Sequence, residues 1–490
     1  MSITPTIVWF RQDLRLADNP ALDRALVAGA IIPVYIAPTD SRRTNRRDGF
    51  HAGGASRWWL HHSLVALDHA LGEKGSRLVV RRGEPTTVLR DLAEQTGATT
   101  VHWNRRLEPA GIETDRFVKQ ALREEGLTVQ SFNGNYLHEP WNVLNKQGEP
   151  YKVFTPYWKA LLAAGIDQEV LPEPERFDPV PENIESDTIE ALDLLPRLDW
   201  AEDFADWWTP GEAGAWDRLE AFLDNIDDYH HTRNRMDLEG TSRLSPHLHF
   251  GEISPRQIVA RVRAEYPEAL EEKGTEAFLR EIGWREFGAN LIYHFPRTET
   301  DNLDVRFDAL PWENAPDDIA AWQRGQTGIP VVDAAMRSLW ATGWMHNRAR
   351  MIVASFLTKN CLVDWRRGAD WFMDTLVDAD LPSNTAGWQW VAGTGADAAP
   401  YYRIFNPVLQ GEKFDPEGGF IRRWVPELAA LPDKALYAPW ETNPAILERA
   451  GVSLGKTYPE PIVDLKTSRQ RALAAFQEIK DYQRQAPASR

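Results

Sequence analysis

The chain has one cysteine, Cys361, in 490 residues. No internal disulfide can form, and no thiolate-rich metal site can be built; no metal is expected. The setting of Cys361, SFLTKNCLVDW, is apolar and suits a packed thiol rather than a nucleophile. No apolar run approaches the roughly 18 residues that a membrane helix needs, and mean hydropathy is −0.46. The first residues, MSITPTIVWFRQDLRL, lack the basic, apolar and small-residue succession of a signal peptide. No GxGxxG follows the first strand-like run, so the usual dinucleotide fingerprint is missing. These absences predict a cytoplasmic protein without a membrane partner, and they exclude disulfide scaffolds, Cys-rich zinc modules and ordinary Rossmann dehydrogenases.

What is present is acidic and rich in tryptophan. The formal net charge is −17, which by itself argues against a polyanionic partner, since phosphate binding wants a basic surface. A local basic patch on an acidic protein escapes that objection. Tryptophan occurs 21 times, mostly after residue 200. Such rings can pack a core, stack on bases or carry electrons, and composition does not choose among these.

The hydrophobic pattern changes along the chain. In the first ~130 residues, short β-branched or aromatic runs (TIVWF, IIPVYIA, RLVVRR, TTVHWN, LTVQSF) alternate with helical stretches at Ala55 to Leu71, Pro85 to Gln95 and Ile112 to Glu124. This predicts a five-stranded parallel α/β sheet with right-handed crossovers over residues 1–132. Residues 133–200, with VLPEPERFDPVPENIES, read as a Pro-rich acidic connector. Residues 201–490 carry helical periodicity and no period-2 runs, which predicts an all-α domain.

Several long stretches carry a resemblance: WFRQDLRLADNPAL, EGTSRLSPHLHFGEISPRQ, WREF, TGWMHNRARMIVASFLTKN, NTAGWQWVAGTGADAAPYYRIFNP and IRRWVPEL, in that order. The chain resembles the photolyase/cryptochrome family from near its start to residue 428. The resemblance implies an antenna domain on a Rossmann-like sheet, a helical FAD-binding domain, and repair of UV-damaged DNA by a monomeric flavoprotein using blue light.

The residues make chemical sense on their own as well. Small hydroxyls and main-chain amides at Thr241, Ser242, Leu244 and Ser245 precede a helix, where a phosphate can be received; an ordinary N-cap is the plain alternative. The resemblance assigns this segment, with Arg243 and Tyr229, to the FAD phosphates. Phe278 stands where some relatives carry Trp near the adenine. Spacings of three and four put Glu281, Trp284 and Arg285 on one helical face. A surface ion pair between Glu281 and Arg285 is the plain reading there. The resemblance gives Glu281 to the dimer, where a carboxyl can stabilise a developing anion, Trp284 to its stacking face and Arg285 to the flavin side.

In TGWMHNRARMIV, Trp344, Asn347 and Met351 are expected on one helical face, flanked by Arg348 and Arg350, with His346 about 100° away. The resemblance implies a histidine at the place of Asn347 in 6-4 photoproduct enzymes, so Asn347 and Met351 favour dimer repair. Asp378 can pair with Arg350 through a planar bidentate contact. Asp380 can accept from the flavin imide, and Asn384 can donate to or accept from its central nitrogen. Plant cryptochromes place Asp at that last position and animal cryptochromes Cys. Trp388, Trp365 and Trp312 match the family's electron-transfer chain, from the flavin outwards. Trp390 matches a second stacking ring, which with Trp284 would clamp a flipped lesion. Arg233, Arg348, Arg403 and Lys413 match phosphate-contacting positions, which hold a strand without reading its sequence.

The antenna ligand is less determined. An Asn-Glu pair that holds folate in one branch is replaced by Ala110 and Gly111 in WNRRLEPAGIETD. Other branches use a folate elsewhere, a deazaflavin or a flavin, and methenyltetrahydrofolate is the first expectation. A signalling cryptochrome, a 6-4 photolyase and a dark flavin dehydrogenase are the competing functions. Asn384, the Glu281/Trp284/Asn347/Met351/Trp390 set and the lack of a long C-terminal extension weigh against the first.

Overall fold

The computed structural model describes residues 4–38, 53–166, 169–398 and 402–485. Five short strands form one parallel sheet in the order β3-β2-β1-β4-β5. They are β1 (Thr6–Phe10), β2 (Ile31–Ala37), β3 (Val79–Arg82), β4 (Thr100–Asn104) and β5 (Thr128–Phe132). Every residue of β1 and β2 is buried, as a parallel sheet covered on both faces requires. Ile7, Val34, Val79, Val101 and Val129 share one core with Leu89, Leu92, Val118 and Leu122. The crossovers are α1 (Pro20–Ala28), α2 (Gly54–Glu73), α3 (Pro85–Thr96) and α4 (Pro109–Glu124). The three expected crossover helices are therefore present within a few residues, and α1 is additional. Pro20 at its first turn and Asn19, whose side chain accepts from Leu22 N, start α1.

The strand order reverses between β1 and β4, where open α/β sheets ordinarily hold a ligand beyond the strand ends. Side chains from the two strand ends make buried polar contacts there. Arg11 pairs with Asp115 at 2.5 Å, and Asn104 donates to Asp13 Oδ2 at 2.7 Å.

By contacts the chain forms two compact units. The first comprises Met1–His230, Ser242–Pro296 and Val377–Pro382; the second comprises His231–Thr241, Arg297–Leu376 and Ser383–Arg490. The sequence pattern suggested cuts near 132 and 200, whereas the first unit draws helical segments onto the sheet. The motif after β1 does this. Arg15 donates to Gly251 O at 2.9 Å and Asp18 O at 2.7 Å, and Asp18 binds Arg256 at 3.1 Å. RQDLRLADNP is thus a seam of buried ion pairs. The stretch 133–200 is also not all connector. It contains α5 (Phe154–Ala163), whose Phe154, Tyr157, Trp158 and Leu161 are buried; their spacing gives one apolar helical face.

The first unit also carries α6 (Ser245–His249) and α7 (Lys273–His294). The second carries α8 (Pro330–Thr342), α9 (Asn347–Ser355), one π-helical turn at Phe356–Asn360, α10 (Trp365–Thr375), most of α11 (Leu381–Ala392), α12 (Pro407–Phe414) and α13 (Leu465–Gln485). No helix among the described residues is long and apolar enough to cross a membrane. Nor do those residues form a metal-binding cluster.

Candidate active site

In the first unit the candidate residues gather on α7. Trp284 is 37% exposed, and its ring stacks on Phe154 with centroids 3.8 Å apart and planes 7° apart. Phe287 closes its edge at 5.8 Å and 74°. One face of the indole is therefore backed by protein. Behind it, Gly283 lets Trp158 approach: a Cβ there would lie 2.5 Å from the Trp158 ring. Phe154, Trp158 and Gly283 escaped the sequence reading because their signal is contact between distant segments.

Arg285 does not make the suggested surface ion pair. Its guanidinium donates to Asn135 O at 2.7 Å and Leu248 O at 3.3 Å, and lies over the Tyr136 ring at 4.6 Å. Glu281, on the same face of α7, is partly buried. Glu286 anchors the helix from its other side. Its carboxylate accepts from Leu137 N at 3.0 Å and His138 N at 3.3 Å. Burial pushes its pKa up to about 7, against the pull of Arg285.

Tyr229 and Phe278 are both buried and meet at 5.8 Å, with Phe222 between them at 5.4 and 4.6 Å. The 242–245 segment turns through Arg243 at φ +52°, a left-handed conformation uncommon outside glycine. Leu244 N donates to Ser242 Oγ at 3.4 Å, and Arg243 lies over Trp207 at 5.6 Å. The helix that follows has only five residues, so its dipole is short and the turn's own amides matter more. Asp378 and Asp380 belong to this unit. Asp380 Oδ2 stands 3.7 Å from His249 Nδ1.

In the second unit, Trp344 lies between α8 and α9 rather than on α9. Gly343 ends α8 in a left-handed conformation, and α9 begins at Asn347. The expected common face therefore holds only for Asn347 and Met351. His346 is the N-cap, its Nδ1 accepting from Arg348 N at 3.0 Å. Asn347 is exposed, and Arg350 donates to Met345 O at 2.7 Å.

The fold brings the four proposed phosphate contacts toward one another. Arg348 is the centre: desolvation lowers its pKa, and the neighbouring charges of Arg233 and Arg403 lower it further. Arg348 and Lys413 both lie over Phe414, at 4.3 and 5.3 Å. A basic rim thus exists on an acidic protein.

On α11, Trp388 and Trp390 are two residues apart and point about 200° apart. Trp388 is 2% exposed. Its neighbour Gly368 admits it, since a Cβ there would lie 2.0 Å from the indole. Phe372 meets it at 5.0 Å. Its Nε1 has no hydrogen-bond partner among the described residues, a vacancy of the kind that a bound group fills. Asn384 donates to Ala369 O at 3.1 Å. Trp390 is partly exposed and donates to Asp397 O at 3.1 Å. Between the two rings, Gln389 donates to Thr298 O and Asp301 O at 2.8 and 3.0 Å. Trp365 is buried and donates to Asn302 Oδ1 at 2.9 Å. Trp312 is half-buried against the cluster of Phe307, Leu310 and Leu362.

Near the sheet, Ala110 and Gly111 occupy the first turn of α4 and are buried. Gly111 leaves room for Arg106, whose Cβ would lie 2.7 Å from an added methyl. Arg106 in turn binds Glu108 at 2.9 Å.

Residues 6–176 match the family model described as DNA photolyase, and residues 278–478 match the FAD binding domain of DNA photolyase. The chain is 49% identical to a deoxyribodipyrimidine photo-lyase of Agrobacterium fabrum, over 98% of this chain and 99% of that protein. It is 40% identical to Cryptochrome-2 of Arabidopsis thaliana, over 98% of this chain and 79% of that one. The solved structure of a bacterial class III photolyase from Agrobacterium tumefaciens superposes with a TM-score of 0.92 at 48% identity, covering 98% of both chains.

Proposed function

The chain belongs to the DNA photolyase family, and from that premise we propose that it repairs cyclobutane pyrimidine dimers in UV-damaged DNA using light. The observation that carries this reading is the basic rim of Arg233, Arg348, Arg403 and Lys413 on a chain of net charge −17. It supplies the polyanion surface that composition withholds.

The FAD-binding domain fits the residues around it. From the first unit, the Thr241-flanked turn Ser242–Ser245 would hold phosphate, Tyr229 and Phe278 would pack the nucleotide, and Asp380 would accept from the flavin imide, with Arg285 and Asp378 in support. From the second, Trp344, Asn347, Arg350 and Asn384 would contribute. Bound reduced flavin supplies the light-driven electron, and no net redox change results.

The protein's own residues do the rest. The rim holds the strand. Trp284 and Trp390 stack on the extruded lesion, while Glu281, Asn347 and Met351 line its polar edges, with Glu281 offering a proton or hydrogen bond where charge develops. Trp388, Trp365 and Trp312 would carry electrons to an oxidised cofactor; burial falls from the first two to the third, which supports Trp312 as the outermost ring. For the antenna, methenyltetrahydrofolate is the proposed ligand. Ala110 and Gly111 offer no polar side chain, so it would bind elsewhere than at that turn.

The test is dimer content in UV-irradiated oligothymidine, with purified, fully reduced protein, in blue light and in darkness. Light-dependent reversal is expected. Absence of reversal with FAD bound and reduced would sink the proposal in favour of 6-4 repair or of a signalling role, the chain being 40% identical to Cryptochrome-2.

A further inference from the structure

Beside Trp390, within the second unit, lies a cavity of about 40 Å³ whose walls include Ser355, Lys359, Trp390, Tyr402, Arg403 and Phe476. One ordered water needs about 10–15 Å³, so the space suits a monatomic ion with a water or two and excludes a nucleotide or a folate.

The polar groups facing this space are mismatched with one another. Lys359 sits on the π-helical turn Phe356–Asn360 and is 1% exposed. Lysine is almost never so buried unless paired, yet no carboxylate among the described residues lies within ion-pair distance of it. Its Nζ donates to Ala392 O at 2.6 Å and stands 3.1 Å from the Tyr402 ring centroid. An ammonium carries three donors, and that carbonyl satisfies one. Tyr402 is 8% exposed, and its hydroxyl has no hydrogen-bond partner among the described residues. The ring is fixed by parallel stacking on Phe476, 4.5 Å and 9° apart. Ser355 Oγ accepts from Phe405 N at 3.2 Å, which leaves its proton to donate. Among the described residues the wall therefore carries an ammonium, two hydroxyls and the Arg403 side chain, and no carboxylate.

We infer that this cavity is a binding site for a small monovalent inorganic anion of halide size, held by Lys359 and Tyr402. A buried charge is costly unless compensated: burial pushes the Lys359 pKa down, and a bound anion pushes it back and keeps the ammonium charged. Water supplies acceptors but no countercharge. An anion supplies both, and accepts from the Lys359 ammonium and the Tyr402 hydroxyl together. A π turn, common at functional sites, is the local irregularity that carries Lys359.

The test uses crystals of the full-length protein soaked in bromide. An anomalous peak is expected between Lys359 Nζ and the Tyr402 hydroxyl, lost in Lys359→Met and weakened in Tyr402→Phe, which keeps the ring stack and guards against a lysine variant that fails to fold. In solution, replacing gluconate by chloride at constant ionic strength should raise the Tm of the wild type by about 2 °C and leave Lys359→Met unmoved. No peak in the wild type, an undiminished peak in either variant, or equal chloride dependence of wild type and Lys359→Met would overturn the assignment.

Discussion

Two tryptophans are given the same task and are supported in different ways. Trp284 rests face to face on Phe154, so contact with another ring fixes its plane. Trp390 donates a hydrogen bond to Asp397 O and, among the described residues, lines a cavity. Their helices differ likewise. Glu286, a buried titratable carboxyl, ties α7 to the amides of Leu137 and His138. Gln389, a neutral amide, ties α11 to Thr298 and Asp301. One platform is backed by apolar contact and anchored by a titratable carboxyl; the other is held by a hydrogen bond and anchored by an amide. Similar stacking surfaces can thus respond differently to substitution and to pH.

The largest expected effect comes from removing the rings. Base-aromatic stacking is worth about 1–3 kcal/mol per base, so Trp284→Ala should weaken binding of dimer-containing DNA by roughly 10- to 100-fold, a tenfold change being about 1.4 kcal/mol. Trp390→Ala should cost less, because its ring is less firmly preset. Titration of labelled dimer DNA against undamaged DNA, with FAD content checked, decides this; equal losses would remove the distinction between the platforms.

The anchors come next. Glu286 has its pKa raised from the ordinary carboxylate range to about 7 in the folded state. The native state therefore binds a proton that the unfolded chain releases between about pH 4.5 and 7, so this group makes stability fall as pH rises through that window. Glu286→Gln should relieve about 3 kcal/mol of that loss at pH 8 and change little at pH 4.5. Urea unfolding midpoints at both pH values measure it. An identical pH slope in the variant would show that Glu286 does not titrate as described.

Much of this was legible in the sequence, for physical reasons. Strand runs such as TIVWF and helices such as Pro85–Thr96 announce themselves through period, Pro at the first turn and Gly at the end. The candidate site was legible through long ordered motifs, which named Trp284, Asn384 and Trp388. What was hidden depends on contact between distant segments. Nothing local in RQDLRLADNP says that Arg15 and Asp18 will seize Gly251 and Arg256. Nothing in TGWMHNR says that the helix begins after Trp344, because Gly343 as a helix end shows only once α8 is seen to stop. Phe154 lies 130 residues from Trp284, and in its own segment it looks like ordinary packing.

Phe154 supplies the smallest and sharpest test of the contrast. An aromatic pair is worth about 0.5–1.5 kcal/mol beyond the area it buries. Phe154→Leu keeps apolar volume under Trp284 but removes the parallel ring, so the indole is freer to tilt and pays more entropy when a base stacks on it. Affinity for dimer DNA should fall by about three- to fivefold, with FAD content and affinity for undamaged DNA unchanged, and Phe154→Tyr should restore it. A loss for undamaged DNA as large as for the lesion would mean that Phe154 merely holds α5 against α7. No loss in Phe154→Leu, alongside a full loss in Trp284→Ala, would mean that the indole keeps its plane without its backing. The contrast between the two platforms would then lie in their anchors alone.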